Sequence, residues 1–443
     1  MNQAKNNPKV LRSWAMYDWA NSVYSLTIVS AVFPAYYGYV TEPNVTFLGM
    51  DLQNTTLYSY ALSFSFLIIA ILSPMLSGIA DSLGRKKAFM KFFTYLGAFS
   101  CAAMYFFNET NLELGIATTI LASIGFAGSL VFYNAFLPEI ATPDRFDKVS
   151  AKGFSLGYIG SVILLLFNLL LISPKTFGIE LGVIGNVIDF ELAAKISFLT
   201  VAIWWMGFAQ ITFKNIPEVK KTKPVNTNLF TLGFKELKTA WAMAKQEPSL
   251  KKFLVSFFFY SMGVQTVMYL ATLFGKSELH LDTGDLIFAI LIIQLVAIGG
   301  AFTFSKISLS FGNIFSLKLA IAIWMGICIF TYFFVIDAFT FYIDAFIVGL
   351  VMGGIQSTSR ATYAKLLPTE NHKDNASFFS LYEICEKVGI VIGTFSFGLL
   401  IYFTGTMRNS VLALALYFLI GFIILLSIED SRLFAKKSKA LKY

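Results

Sequence analysis

Long apolar runs alternate with short polar breaks along the whole chain, and twelve of the runs are long enough to cross a bilayer as helices. They fall at residues 14–40, 56–80, 88–107, 113–137, 150–173, 192–213, 251–274, 284–305, 314–336, 338–363, 376–403 and 408–429. A spanning helix needs about 20 mostly apolar residues, because the hydrocarbon core offers no water to backbone groups. The pattern therefore predicts an all-α membrane protein with twelve transmembrane helices. Composition points the same way. Hydrophobic residues make up 56% of the 443 positions and charged residues 14%, where soluble domains carry about a quarter.

Charge placement sets the orientation. Of 34 Lys and Arg residues, 29 lie on alternate connections, from Lys5, Lys9 and Arg12 through Arg85–Lys91 and Lys214–Lys252 to the tail from Arg432. Four lie on the other side, Lys175, Lys195, Lys276 and Arg408, and Lys387 falls inside a span. Cytoplasmic loops keep their positive charge, so both termini are expected in the cytoplasm. The formal charge of +8 then reads as a topology signal and not as a nucleic-acid footprint. The long basic connection divides the chain into a six-helix bundle at 1–213, a linker at 214–250 and a second bundle at 251–443. Within the linker, Leu229 to Lys245 reads either as an amphipathic helix laying Phe230, Phe234, Leu237 and Trp241 on the membrane surface or as a solvated tether.

A weak internal repeat supports two halves. Tyr133-Asn-Ala-Phe-Leu-Pro138 closes span four as Tyr363-Ala-Lys-Leu-Leu-Pro368 closes span ten. Soon afterwards Ala151-Lys-Gly-Phe-Ser-Leu156 matches Ala376-Ser-Phe-Phe-Ser-Leu381. Parallel duplicated halves are a transporter architecture, with the binding site at mid-membrane between them.

Ionisable side chains inside spans are the candidate chemistry, since each costs roughly 2.5–3.5 kcal/mol on insertion scales and should face the bundle interior. Asp18 and Asn21 stand three apart on span one, one turn before Tyr24. Their shared face either meets a polar solute or coupling proton, or clamps neighbouring helices. Span eleven carries Glu383, Glu386 and Lys387, either a self-neutralised packing pair with one acid in excess or a relay whose partners exchange. Arg360, in span ten with Asp344 and Gln356, is either a bidentate carboxylate binder or an anchor at the basic interface. Asn134 ends span four, and Gln265 and Gln294 are candidate cavity hydrogen-bonders. Spans three, six, nine and twelve carry no central charge, as suits peripheral helices. The glycines at 153, 157, 160, 389 and 393 read as close helix packing. The three cysteines and two histidines form no metal-ligand pattern, no cofactor is expected, and residues 1–13 do not resemble a signal peptide.

The connection after span two reads Gly78-Ile79-Ala80-Asp81-Ser82-Leu83-Gly84-Arg85-Lys86-Lys87 and resembles the signature of the major facilitator superfamily. The resemblance implies a cytoplasmic gate built on Gly78, Asp81, Gly84, Arg85 and Lys86, with Asp81 near the positive N-terminal end of span eleven. The equivalent loop of the second half, Lys306 to Asn313, keeps only a Lys and a Gly. Tyr17-Asp18-Trp19-Ala20-Asn21-Ser22, Tyr133 to Ile140, Gly157-Tyr158-Ile159-Gly160, Gly354 to Arg360 and Ser380-Leu381-Tyr382-Glu383 are similar to a narrower subfamily. That subfamily contains fungal vacuolar amino-acid effluxers and their bacterial relatives. Two departures stand out: Met262 replaces an acid common in span seven, and Tyr158 breaks the glycine-proline motif of antiporters.

The function these features imply is secondary transport of a small polar solute by alternating access. The resemblance adds an amino acid or similar zwitterion as solute. Protons are the expected coupling ion, carried by Asp18, Glu383 or Glu386, since no nucleotide-binding loop is present. The expected setting is a bacterial inner membrane, with a monomeric protein. An enzyme acting on lipid-linked substrates would bring catalytic clusters at one interface, and a transport-derived receptor would bring a soluble sensory domain.

Overall fold

The computed structural model describes residues 5–174, 189–217, 229–368 and 375–428. Lys175, the middle of the linker, Lys373 and the basic tail from Arg432 lie outside the described residues. The helices are α1 (Pro8–Val40), α2 (Asn54–Leu83), α3 (Lys86–Ala103), α4 (Leu112–Ile140), α5 (Phe146–Ile172) and α6 (Phe190–Asn215). After the linker helix α7 (Leu229–Gln246) come α8 (Pro248–Glu278), α9 (Thr283–Phe311), α10 (Asn313–Phe334), α11 (Ala338–Leu366), α12 (Asn375–Thr404) and α13 (Met407–Leu426). A two-stranded antiparallel hairpin, Asn44–Phe47 with Met50–Gln53, joins α1 to α2.

Eleven of these helices are long and apolar enough to cross a bilayer. At the position of the third predicted span stands α3, whose first turns carry Lys86, Lys87 and Lys91. Most helices outrun their predicted spans: α8 starts at Pro248 and ends at Glu278 where hydropathy marks 251–274. Apolar counting sees only the hydrocarbon slab, whereas helical hydrogen bonding continues through the interface.

Local chemistry sets the ends. Gly84 closes α2 at φ 65° in the left-handed region, which glycine adopts without a Cβ penalty. Asp337 opens α11 with a capping box to Thr340, and those hydrogen bonds hold its carboxyl below the usual range. Within α1, Tyr24–Val32 is π-helical, and Pro34 follows within the next turn. Proline lacks an N–H for the ladder, and π turns concentrate at functional sites.

Packing repeats across the chain. In the first part α1 packs on α5 and α6, α3 on α4 and α6, and α2 on α4. The same partnering recurs in the second part: α8 on α12 and α13, α10 on α11 and α13, and α9 on α11. Between the two sets, α5 meets α9 and α11, while α12 meets α2 and α4. Large apolar side chains such as Ile71, Phe333 and Phe395 point outward, fully suited to lipid. Helix α7 packs on α2, with Gly233 against Met75 and Ile79; Ala240 and Ala244 are buried and Trp241 is exposed. The side chains of Phe230, Phe234 and Leu237 lie outside the described residues.

The tightest crossing joins α9 and α11. A Cβ on Gly300 would run into the Leu350 carbonyl, one on Gly353 into the Ala297 carbonyl, and one on Gly349 would come within 2.5 Å of the Ile293 carbonyl. Backbone cannot yield as a side chain can. Gly353→Val is therefore expected to destabilise the protein by about 1–3 kcal/mol or more, read as a lower Tm in detergent. Gly326→Ala on α10, which meets nothing within 4 Å, should melt like the parent.

Candidate functional site

A cavity of about 230 Å³ lies where α1, α4 and α5 face α8, α11 and α12. Asp18, Asn21, Tyr24, Asn134, Gln265, Gln356, Arg360, Glu383, Glu386 and Lys387 all contribute to its lining. Every candidate solute or ion residue read from the sequence therefore reaches one space. A second cavity of about 390 Å³ shares Leu26, Val29, Ser30, Phe66, Met268, Tyr269, Gln294 and Ile390 with the first. It continues past Tyr37, Asn54 and Phe341 to the helix ends opposite the Lys/Arg-rich end. Helices α3, α6, α10 and α13 line neither cavity.

The floor of the inner cavity is an ion pair between the two halves. Arg360 Nη2 donates to Asp18 Oδ2 at 3.1 Å, with both side chains buried. Its other donors reach Ser150 Oγ at 2.9 Å, the Ser150 carbonyl at 2.9 Å and Asn134 Oδ1 at 3.3 Å. The guanidinium also lies 4.8 Å from the Trp14 ring centre and 4.1 Å from that of Phe154. Tyr133 Oη donates to the same Asp18 oxygen at 2.7 Å. A buried charge pair persists only when its remaining hydrogen-bonding capacity is met, and here every partner of Arg360 belongs to the first half of the chain. The anchor at the basic interface is thus a bolt through the centre.

On α12, Lys387 Nζ stands 2.9 Å from Glu386 and 3.5 Å from Glu383. Gln265 Nε2 donates to Glu386 at 2.7 Å, and Asn134 Nδ2 donates to Glu383 Oε1 at 2.9 Å. Tyr158 donates to Gln356 at 2.8 Å, and Tyr24 shares a 2.8 Å hydrogen bond with Ser123. Asn21 is buried and its Nδ2 has no partner. Asp344 departs from the group: it bonds Thr331 of α10 at 3.1 Å and faces neither cavity.

Below the floor, contacts join the two halves at the Lys/Arg-rich end. Asp81 accepts from Ala376 N at 3.2 Å, Ser377 N at 2.7 Å and Ser377 Oγ at 2.8 Å, all in the first turn of α12. Gly78 sits buried one turn earlier in α2. The resemblance gives both Asp81 and Arg85 a place in the gate; Arg85 is exposed and makes no ion pair among the described residues. Lys86 takes that place, 3.0 Å from Asp81 and paired also with Glu139. The reason is local: Gly84 turns the chain so that Arg85 caps α3 outward and Lys86 begins its inner face. Lys5 donates to the Pro138 carbonyl at 2.8 Å; burial lowers its pKa, opposed in part by Glu139.

Several site residues escaped the sequence reading. Asp147, in the first turn of α5, pairs with Lys365 and accepts from Asn313 at 2.6 Å and Ser308 at 3.0 Å. The second-half loop that looked degenerate therefore forms a latch with the carboxylate on the other partner. Ser150 carried no signal of its own. Gly153, read as packing, lies where a Cβ would meet the Asp18 carboxylate and stand 2.9 Å from Arg360 Nη2, so its bareness also makes room for the ion pair.

A family model described as "Vacuole effluxer Atg22 like" matches residues 6–437. The chain belongs to this Atg22-like family. It is 32% identical over 433 residues to the uncharacterized MFS-type transporter YxiO of Bacillus subtilis (strain 168), covering 96% of each chain. Autophagy-related protein 22 of Saccharomyces cerevisiae (strain ATCC 204508 / S288c) is 25% identical over 415 residues, covering 82% of this chain and 75% of its own. Among solved structures, the transporter FucP in its outward conformation aligns with TM-score 0.65 at 15% identity, covering 96% of this chain and 99% of its own. The proton:xylose symporter XylE aligns with TM-score 0.69 at 11% identity, covering 95% of both. This Atg22-like chain is thus a multi-pass membrane transporter with the major facilitator fold.

Proposed function

We propose that this transporter carries a small polar solute, an amino acid or similar zwitterion, by proton-coupled alternating access. On this reading α3 is the twelfth crossing, and the two six-helix bundles at 1–213 and 251–443 rock about the inner cavity. The Lys/Arg-rich end faces the cytoplasm with both termini, so the described state is open outward and closed inward. The observation that carries the proposal is the asymmetry along the cavity. Its polar floor is bolted by Asp18–Arg360 and latched below at Asp81 and Asp147, while the opposite end continues into a second cavity. Zwitterion recognition is supported by the lining, where Arg360, its donors engaged by Asp18, Ser150 and Asn134, supplies positive charge for a carboxylate. Across the cavity, Glu383 and Glu386 stand with Asn21 and its unspent donor.

The experiment is uptake of a labelled amino-acid mixture into proteoliposomes under an imposed pH gradient. Saturable accumulation that a protonophore collapses is expected. Flux no greater than in protein-free vesicles would reject the solute class, and accumulation indifferent to the gradient would reject proton coupling.

A further inference from the structure

One side chain joins the two charged clusters of the cavity. Asn134, near the end of α4, donates through Nδ2 to Glu383 Oε1 at 2.9 Å and accepts through Oδ1 from Arg360 Nη1 at 3.3 Å. The amide lies in the first half; both partners lie in the second, on α12 and α11. Its orientation is dictated by charge, because a reversed amide would aim its hydrogens at the guanidinium and its oxygen at the carboxylate. The other oxygen of Glu383, Oε2, is buried without a hydrogen-bond partner and stands 3.5 Å from Lys387 Nζ. Glu383 as a residue lines the cavity that continues to the open end.

We infer that Asn134 is the positioning residue that transmits protonation of Glu383 to the Asp18–Arg360 bolt. The inference rests on the proton-coupled reading above. While Glu383 is ionised it holds the amide by a charge-assisted bond, roughly twice as strong as a neutral one. The amide oxygen is thereby held toward Arg360. A proton arriving at Oε2 through the open cavity neutralises the carboxylate, and the carboxylic acid offers a hydroxyl that competes for the same amide oxygen. The Asn134 bond to Arg360 weakens, and one of the ties that close the basic end is released. The titratable groups that share this environment are Lys387, Glu386 and Tyr382 on α12, Arg360 on α11, Asp18 and Tyr24 on α1, Tyr158 on α5, and Tyr260 and Tyr269 on α8. The side chains that α2 and α4 bring to the cavity wall, Phe66 and Asn134 among them, are neutral.

The test uses full-length protein with Cys101, Cys328 and Cys385 replaced by Ser, and spin labels at Asp144→Cys and Ser310→Cys. Both positions are exposed at the Lys/Arg-rich end, one in each half. Electron–electron resonance distances are recorded from pH 5 to pH 8 without solute. In the parent, the ratio of long to short distances should rise as pH falls, by up to tenfold per unit for one proton taken up on opening. Glu383→Gln should show the long distance already at pH 8. Asn134→Leu should flatten the pH response. Asn134→Asp, which keeps an acceptor for Arg360 but sets a carboxylate against Glu383, should move the midpoint to higher pH. A parent-like pH response in Asn134→Leu, or an unmoved midpoint in Asn134→Asp, would overturn the relay and leave proton coupling standing. A parent with no pH response would overturn proton coupling itself, and the relay with it.

Discussion

Asp18→Asn is expected to lower solute flux in proteoliposomes by about 100-fold or more, since leaving one partner of a buried ion pair uncompensated costs about 3–5 kcal/mol and each 1.36 kcal/mol is tenfold in rate. The penalty falls on the state described here. Arg360 would keep its bonds to Ser150 and Asn134 but lose the one carboxylate in contact with it among the described residues, with its guanidinium packed among Trp14, Tyr133 and Phe154. Tyr133 would lose a charged acceptor at the same time. The state closed at the basic end is thereby depopulated, and a carrier that cannot close one end cannot complete its cycle. Asp18→Glu keeps the charge but lengthens the arm against Gly153 and should retain part of the flux. Unchanged flux in Asp18→Asn would remove this pair from the mechanism.

The second large effect is expected at Asp81→Ala. The carboxylate meets two backbone N–H groups and a hydroxyl in the first turn of α12, where the helix dipole adds to the attraction. A hydrogen bond to a charged group contributes roughly 1.5–3 kcal/mol, so losing even one of the three should shift the balance between closed and open basic ends by at least about 10-fold to 100-fold. Lys86 would keep Glu139 as its counter-ion, which limits the damage to folding. Hydrogen–deuterium exchange should report the change as faster exchange of amides in the first turns of α12, with the core of α9 unchanged. Exchange equal to the parent at residues 375–381 would show that Asp81 does not hold the gate.

Much of this site was legible because lipid makes polar residues conspicuous. Asp18, Asn134, Arg360, Glu383, Glu386 and Lys387 stood out as charges or amides in apolar runs, and the fold brings all of them to one cavity. Asp344 stood out by the same test and yet faces Thr331 at the α10–α11 contact. Hydropathy reveals that a polar group is inside, but which neighbour it faces depends on helix rotation. Asp147 was missed, and Glu139 was read only as a polar end to span four, for the opposite reason. They sit at helix ends, where charge is ordinary, and only the approach of α9, α11 and α12 turns them into latches. Arg85 and Lys86 are neighbours in a basic run, and no residue pattern says which of them turns inward; the left-handed turn at Gly84 decides it. Gly153 was visible only as a small residue, since its second role depends on the Asp18 side chain arriving from α1.

The account depends on a single cavity that opens at one end only when the other is shut. The most direct test is a reversible lock across the closed end. Asp81 Oδ2 and Ser377 Oγ are 2.8 Å apart, so Asp81→Cys with Ser377→Cys, in a background lacking the native cysteines, places two thiols within reach of a disulfide. Oxidised protein should carry no solute, should still be labelled at a third cysteine replacing Ser30 from the open side, and should regain on reduction whatever flux the never-oxidised double variant shows. Solute crossing at the same rate with the disulfide intact would contradict alternating access.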